Sequence, residues 1–214
     1  MSDGVVTGTV TAVQLHIAGP VAPWERLGLS FGYLPDGSGR LDLGNCALIV
    51  RPDVSEPALA LALRIDDHAV SDEIDGIALS ALDSGAEHRE PGRLGAVTVD
   101  HLVVMTDSLE RTSAEVERVT RQPLKRIREA AGGVRQGFHR LGPGGVIVEI
   151  VERSDVTAST LWGFVLTVAD LDAAIAGADG LIGEARDAVQ PGRRIATVRS
   201  AAALGVPVAL LTSE

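Results

Sequence analysis

Apolar and polar positions follow one another with a changing period along this chain, and each change marks an element. Residues 98–106, TVDHLVVMT, are apolar and rich in β-branched side chains, which predicts a strand. Over 107–120, DSLERTSAEVERVT, the spacing becomes helical, with Leu109, Ala114, Val116 and Val119 on roughly one face and Asp107 or Ser108 placed to cap it. Three more strands are predicted at 123–130, 134–142 and 145–152, separated by AGG and PGG turns.

The same order recurs. Residues 161–170 predict a strand and 171–178 a short helix, followed by strands near 184–188, 192–200 and 206–212. Nearer the start, 10–19 predict a strand, 21–29 a helix, and short strands continue to about residue 52. A Leu-Gly pair stands shortly before each unit's last strand, at Leu43-Gly44, Leu141-Gly142 and Leu204-Gly205. Glycine suits the tight backbone such a turn needs. Residues 53–95 depart from this order, with a strand at 58–66, another within 72–82, no amphipathic helix between them, and a polar, turn-rich connection at 86–95. The chain therefore reads as βαβββ units whose second copy is worn down. They divide into an N-terminal half, 8–95, and a C-terminal half, 96–214, made of modules 96–156 and 157–214.

Charge and composition narrow the function. Among 214 residues, 29 are acidic and 19 basic, a formal charge of −10, and such a field repels nucleic acid. The lone cysteine, Cys46, rules out an intrachain disulfide and a Cys-rich zinc site, and on its apolar strand it should be buried and inert. The start shows no basic stretch leading into an apolar one, and the longest apolar runs, 58–63 and 201–211, fall short of the ~20 residues of a membrane span. A cytoplasmic protein without a membrane partner is expected. GPGG at 142–145 leads into a strand and no Lys-Ser/Thr follows, so it is not a phosphate loop.

Tandem βαβββ units with DHLVV (100–104) on a first strand, VEIVE (148–152) on a last strand and FVLTVADLDAA (164–174) opening the next unit resemble the vicinal oxygen chelate superfamily. RQGFHRLG and QPGRRIATVR resemble its glyoxalase-like branch. The resemblance implies an α+β chain of tandem βαβββ modules whose curved sheets form an open, barrel-like structure, the glyoxalase/bleomycin resistance/dihydroxybiphenyl dioxygenase fold. It also implies a small-molecule ligand, a homodimer, and a divalent metal (Zn, Ni, Co, Mn or Fe) held by first-strand and last-strand side chains.

Carried over, those ligand positions fall on His101 and Glu149. In the next unit they fall on Gly163 and Ala209, and in the N-terminal unit near Val13 and Leu48, none of which ligates through its side chain. His16 and His139 are the imidazoles that could extend the set. A bare carboxylate inside the apolar run VIVEIVE costs roughly several kcal/mol unless it is paired or faces a wet pocket, so Glu149 is also a candidate general base. Arg135, His139, Trp162 and Arg194 are the candidate substrate contacts. Arg193 and Arg194 are adjacent on a strand, so at most one of them should enter the pocket. Phe138 could wall the pocket or pack in the core, and Trp24 should anchor a helix.

Two functions remain: a metal-assisted lyase, isomerase or dioxygenase acting on a small vicinal-oxygen metabolite, or a metal-free antibiotic- or metabolite-binding protein with a degenerate metal site.

Overall fold

The structure, a computed structural model, describes residues 9–213 apart from 53, 55, 56, 67, 71 and 72. Residues 1–8, which include the expected start of the N-terminal half, lie outside it, as does residue 72 at the start of the 72–82 stretch.

The N-terminal half opens with a complete module: β1 (Val10–Ala18), α1 (Ala22–Leu27), β2 (Gly32–Tyr33), β3 (Gly39–Asp42) and β4 (Ala47–Arg51). β5 (Leu59–Ile65) and β6 (His68–Val70) follow, then a small hairpin of β7 (Glu73–Ile74) and β8 (Ile77–Ala78). The next module comprises β9 (Ala96–Thr106), α2 (Leu109–Thr120), β10 (Leu124–Glu129), β11 (Arg135–Arg140) and β12 (Ile147–Glu152). The last has β13 (Thr160–Val168), α3 (Leu171–Ala176), β14 (Arg186–Asp187), β15 (Arg194–Thr197) and β16 (Val208–Thr212). The longer helices of the C-terminal half start at side-chain caps, Ser108 accepting from the Arg111 amide and Asp170 from that of Ala173.

The C-terminal half forms one eight-stranded sheet in the order β10-β11-β12-β9-β13-β16-β15-β14. Its modules meet antiparallel through their first strands, β9 and β13, and each module's last strand runs parallel to its first. The six-stranded N-terminal sheet, β2-β3-β4-β1-β5-β6, repeats this plan up to a point. β5 lies antiparallel to β1 just as β13 lies to β9, so the worn-down unit keeps its first strand. No helix occurs between residues 66 and 95 among the described residues. Side chains of the two outer strands of the larger sheet, β10 and β14, line one cleft, so the sheet curls toward closure and stays open.

The convex faces carry the helices and the core, with Leu15, Leu102, Val116, Ile150 and Leu210 fully buried. Trp24 of α1 stacks on Phe164 of β13, ring centroids 6.1 Å apart and planes within 5°, which joins the halves. Asn45 acts as a one-residue strand neighbour to Val99, donating to its carbonyl at 2.9 Å and accepting from its amide at 3.0 Å. Asp75, at positive φ in the β7–β8 turn, docks that hairpin onto α2 by accepting from Arg111, Thr112 and the Ser159 hydroxyl. Burial opposes the Asp75 charge, but these donors outweigh it and hold its carboxyl below the usual range. No described helix is long and apolar enough to cross a membrane.

Candidate functional site

The concave face of the larger sheet carries the cleft, about 360 Å3 in volume, and a bulge organises its floor. β9 pairs Val99 with Leu166 and His101 with Val165, leaving Asp100 as an extra residue. Asp100 and His101 thus both border the cleft, although neighbours on a regular strand face opposite ways. Asp100 Oδ2 sits 2.8 Å from His101 Nδ1, and Arg193 Nη1 donates to Asp100 Oδ1 at 2.8 Å. Burial pushes the Asp100 carboxyl up, but the bonds from His101 and Arg193 outweigh it and leave it below the ordinary carboxylate range.

The other imidazole nitrogen, Nε2, lies 3.2 Å from Glu149 Oε2. Gln136 Nε2 donates to Glu149 Oε1 at 2.8 Å, and Arg128 Nε donates to Gln136 Oε1 at 2.9 Å. A continuous polar chain therefore runs Arg193, Asp100, His101, Glu149, Gln136, Arg128. Each ring nitrogen of His101 thus faces a carboxylate, through a hydrogen bond to Asp100 and a close approach to Glu149.

The walls combine charge with apolar surface. Arg126 and Arg128 alternate on β10 and lie over the Phe138 ring, at 4.8 and 5.7 Å from its centroid. Arg186 reaches the cleft from β14 at the opposite edge, with Ile147, Ile195 and Leu211 between. Among the described residues, none of Arg126, Arg128 and Arg186 forms an ion pair with a carboxylate.

His101 and Glu149, paired from the sequence, do meet on this floor. The four expected substrate contacts lie elsewhere. Arg135 sits on the helix-covered side and pairs with Glu110 and Glu152. His139 is fully buried beneath α2, its Nδ1 2.9 Å from the Gln122 carbonyl and its Nε2 2.8 Å from Ser113 Oγ. The carbonyl can only accept, so Nδ1 carries the proton, and burial lowers the His139 pKa. Trp162 is half exposed and does not line the cleft, while Arg194 is exposed and pairs with Asp172 at 2.8 Å. Of the two adjacent arginines it is Arg193 that turns to the site. Sequence reasoning missed Asp100, Arg126, Arg128, Gln136 and Arg186. Residues 126 and 128, like 136 and 138, share a face by alternation, a usable signal once the register is known.

A divalent ion does not fit the side chains present. His101 stands seven residues before the cap Ser108 and Gly163 seven before the cap Asp170, while Glu149 and Ala209 face the equivalent Val103 and Val165. Gly163 and Ala209 thus hold the places of the two further ligands. A Cβ on Gly163 would come within 2.4 Å of the Pro207 carbonyl oxygen, so no side chain is tolerated there. The described residues contain no group of three or more His, Cys, Asp and Glu placed to hold an ion. Open catalytic sites usually offer three protein ligands; here two remain, beside Arg126, Arg128 and Arg186, which pair with no carboxylate among the described residues.

The N-terminal sheet corrects one assignment and supplies a contrast. Gln14 pairs with Ala47 as His101 pairs with Ile147, so the counterparts of His101 and Glu149 are Gln14 and Ile49, one residue on from Val13 and Leu48. His16 shares the Gln14 face, in a different cleft from His101. The chain itself covers this face. Gln14 Oε1 accepts from the Asp83 amide at 2.7 Å and Gln14 Nε2 donates to the Asp83 carbonyl at 2.8 Å. Arg40 pairs with Asp42 at 2.7 Å and Asp83 at 3.2 Å, and Asp42 accepts from the His88 amide. Residues 83–88 thereby form a strap over the place that is open in the other half.

Two βαβββ modules joined by their first strands into an open curved sheet, with polar groups gathered on its concave side, make the architecture of the vicinal oxygen chelate fold. No protein-family model matches the chain, and no curated protein does. Solved structures that match include methylmalonyl-CoA epimerase from Mycobacterium tuberculosis, at 15% identity and TM-score 0.48 over 56% of this chain and 90% of that one. A Streptomyces coelicolor methylmalonyl-CoA epimerase variant in complex with 2-nitronate-propionyl-CoA matches at 20% identity and TM-score 0.46, over 55% and 98%. A hypothetical protein from Bacillus halodurans matches at 14% identity and TM-score 0.45, over 55% and 94%.

Proposed function

We propose that the C-terminal cleft binds a small organic anion, a carboxylate or phosphate ester, without a resident metal ion. The observation that carries this reading is the convergence of Arg126, Arg128 and Arg186, none ion-paired among the described residues, on one partly apolar cleft of a strongly acidic chain. Guanidinium groups take carboxylate or phosphate oxygens in a two-point fork, and the ring of Phe138 keeps two of them oriented. Ile195 and Leu211 offer apolar contact to the rest of the ligand.

The His101–Glu149 contact favours a second step in the same place. Either group can exchange a proton with a bound ligand, as in an isomerase-type reaction, with Asp100 and Arg193 fixing the imidazole.

Calorimetry of the full chain against short carboxylates and phosphate monoesters tests the binding. Arg126→Met and Arg128→Met should each weaken the best ligand about tenfold, near 1.4 kcal/mol. A wild-type protein that binds none of these compounds, or a double variant that binds as well as wild type, would overturn it. Metal analysis after incubation with Zn, Ni, Co, Mn or Fe(II) should find far less than one equivalent. Near-stoichiometric metal that His101→Ala removes would restore the metal-assisted reading.

A further inference from the structure

Each outer strand of the larger sheet brings an arginine to the C-terminal cleft, and the ladders set where each one stands. Arg126 on β10 pairs with Phe138, which pairs with Glu149. Arg186 on β14 pairs with Ile195, which pairs with Leu211. Residues directly opposite one another in antiparallel strands share a face of the sheet, and all six border the cleft. Both rows therefore run inward from an outer arginine over the same concave face. The Arg126 guanidinium stands 4.8 Å from the centroid of the Phe138 ring, which keeps it on that side.

These two guanidinium groups are free. Among the described residues no hydrogen bond or ion pair engages Arg126 or Arg186, and both are exposed. Arg128 differs, since its Nε and Nη2 both donate to Gln136 Oε1. The acids on the floor are answered within the protein, Asp100 by Arg193 and Glu149 by Gln136 and His101. Asp187 borders the cleft as well, but it pairs across the ladder with Arg194 and, after Asp172, helps to raise the pKa of that residue. One cleft of about 360 Å3 thus carries an uncompensated cation at each of two opposite edges, with β12 and β9 between them.

We infer that the ligand of this cleft is acidic at both ends, a short dicarboxylate or a phosphorylated carboxylate, with one end taken by Arg126 and the other by Arg186. The inference rests on the anion reading of the cleft and names the substrate class within it. A guanidinium takes carboxylate or phosphate oxygens in a two-point fork. Once one end is held, the other binds as an intramolecular event, so a two-ended acid gains over a one-ended acid of the same length. The carbons between the ends then lie over β12 and β9, where His101 and Glu149 meet.

Calorimetry of the full chain tests this by comparing succinate, glutarate and adipate with the monocarboxylates of equal carbon number, and phosphoglycolate with glycolate. At least one two-ended acid should bind about tenfold or more tightly than its one-ended counterpart. An advantage confined to phosphoglycolate supports the inference with a phosphate at one end, and one confined to the dicarboxylates supports it with carboxylates at both. Arg186→Met should bring each pair of compounds to within about twofold, whereas Arg194→Met, which removes the same charge outside the cleft, should leave the advantage intact. One-ended acids that bind while no two-ended acid binds better would overturn the inference and leave the anion reading standing; no binding by either kind overturns both. An advantage that survives Arg186→Met, or that Arg194→Met removes equally, would also overturn it. The wild-type comparison decides even if a variant fails to fold.

Discussion

The two halves carry the same sheet face in opposite states. In the C-terminal half the face carries an open cleft, and its acid–imidazole–acid chain runs from Arg193, paired with Asp100, to Arg128, which like Arg126 and Arg186 has no acidic partner among the described residues. In the N-terminal half the counterpart of His101 is Gln14, which grips the backbone of Asp83, while the Asp83 carboxylate answers Arg40 and Arg51. In the strapped half Arg40 and Arg51 pair with the chain's own carboxylates, while in the open cleft Arg126, Arg128 and Arg186 form no such pair among the described residues. The difference follows from the worn-down second unit: with no helix among the described residues and only β6 added to the sheet after β5, the rest of that chain length is free to lie over the concave face.

Removing the strap's carboxylate should show the largest effect. Asp83→Ala leaves the buried Arg40 and the partly buried Arg51 short of countercharge and should cost about 3 kcal/mol in urea unfolding, whereas Glu149→Gln in the open cleft should stay within about 1 kcal/mol. Equal costs would erase the contrast between the faces.

Gly163→Ala comes next. Its Cβ would crowd the Pro207 backbone, with an expected loss of about 2 kcal/mol, and Gly163→His should not build a metal site for the same reason. A stable, metal-loaded Gly163→His protein would show that the missing ligand is accidental rather than sterically excluded.

Acid sharpens the comparison further. His16 titrates near 6.5 when unfolded and near 4 when folded, so between these values the unfolded chain binds more protons. The stability gained from a neutral His16 is complete above about pH 6.5 and is lost as pH falls toward about 4, amounting to about 2 kcal/mol by pH 5. His16→Gln should flatten that limb of a stability–pH profile. The smallest effect belongs to Arg128→Met, expected within about 0.5 kcal/mol in unfolding while ligand affinity drops. A large stability loss there would place Arg128 in the structural framework instead.

Periodicity carried much of the fold. The switch from strand to helical spacing near residue 107, and the Ser108 cap, correspond to β9 and α2 as they stand. The pairing of His101 with Glu149 followed from the resemblance to a known sheet plan. Other features depend on events that leave little trace in sequence. The bulge at Asp100 turns two adjacent side chains to one cleft, and regular alternation predicts the reverse. His139 looked like a cleft residue because its strand's facing was unknown; paired with Leu124 and Val148, it points to the helix side. The one-residue shift from Val13 to Gln14 reverses the face in the same way. Residues 86–95 read correctly as a connection, but the grip of Gln14 on Asp83 spans 69 positions and rests on residue types common in any loop.

The seam where Trp24 stacks on Phe164 has a spectroscopic consequence. The chain has two tryptophans, one sealed between the halves and the other, Trp162, half exposed beside the larger sheet. Parting of the halves would wet the first indole and red-shift its emission, while the second would change little. Intrinsic fluorescence, with Trp162→Phe to silence the background, would therefore follow undocking separately from the melting of either sheet.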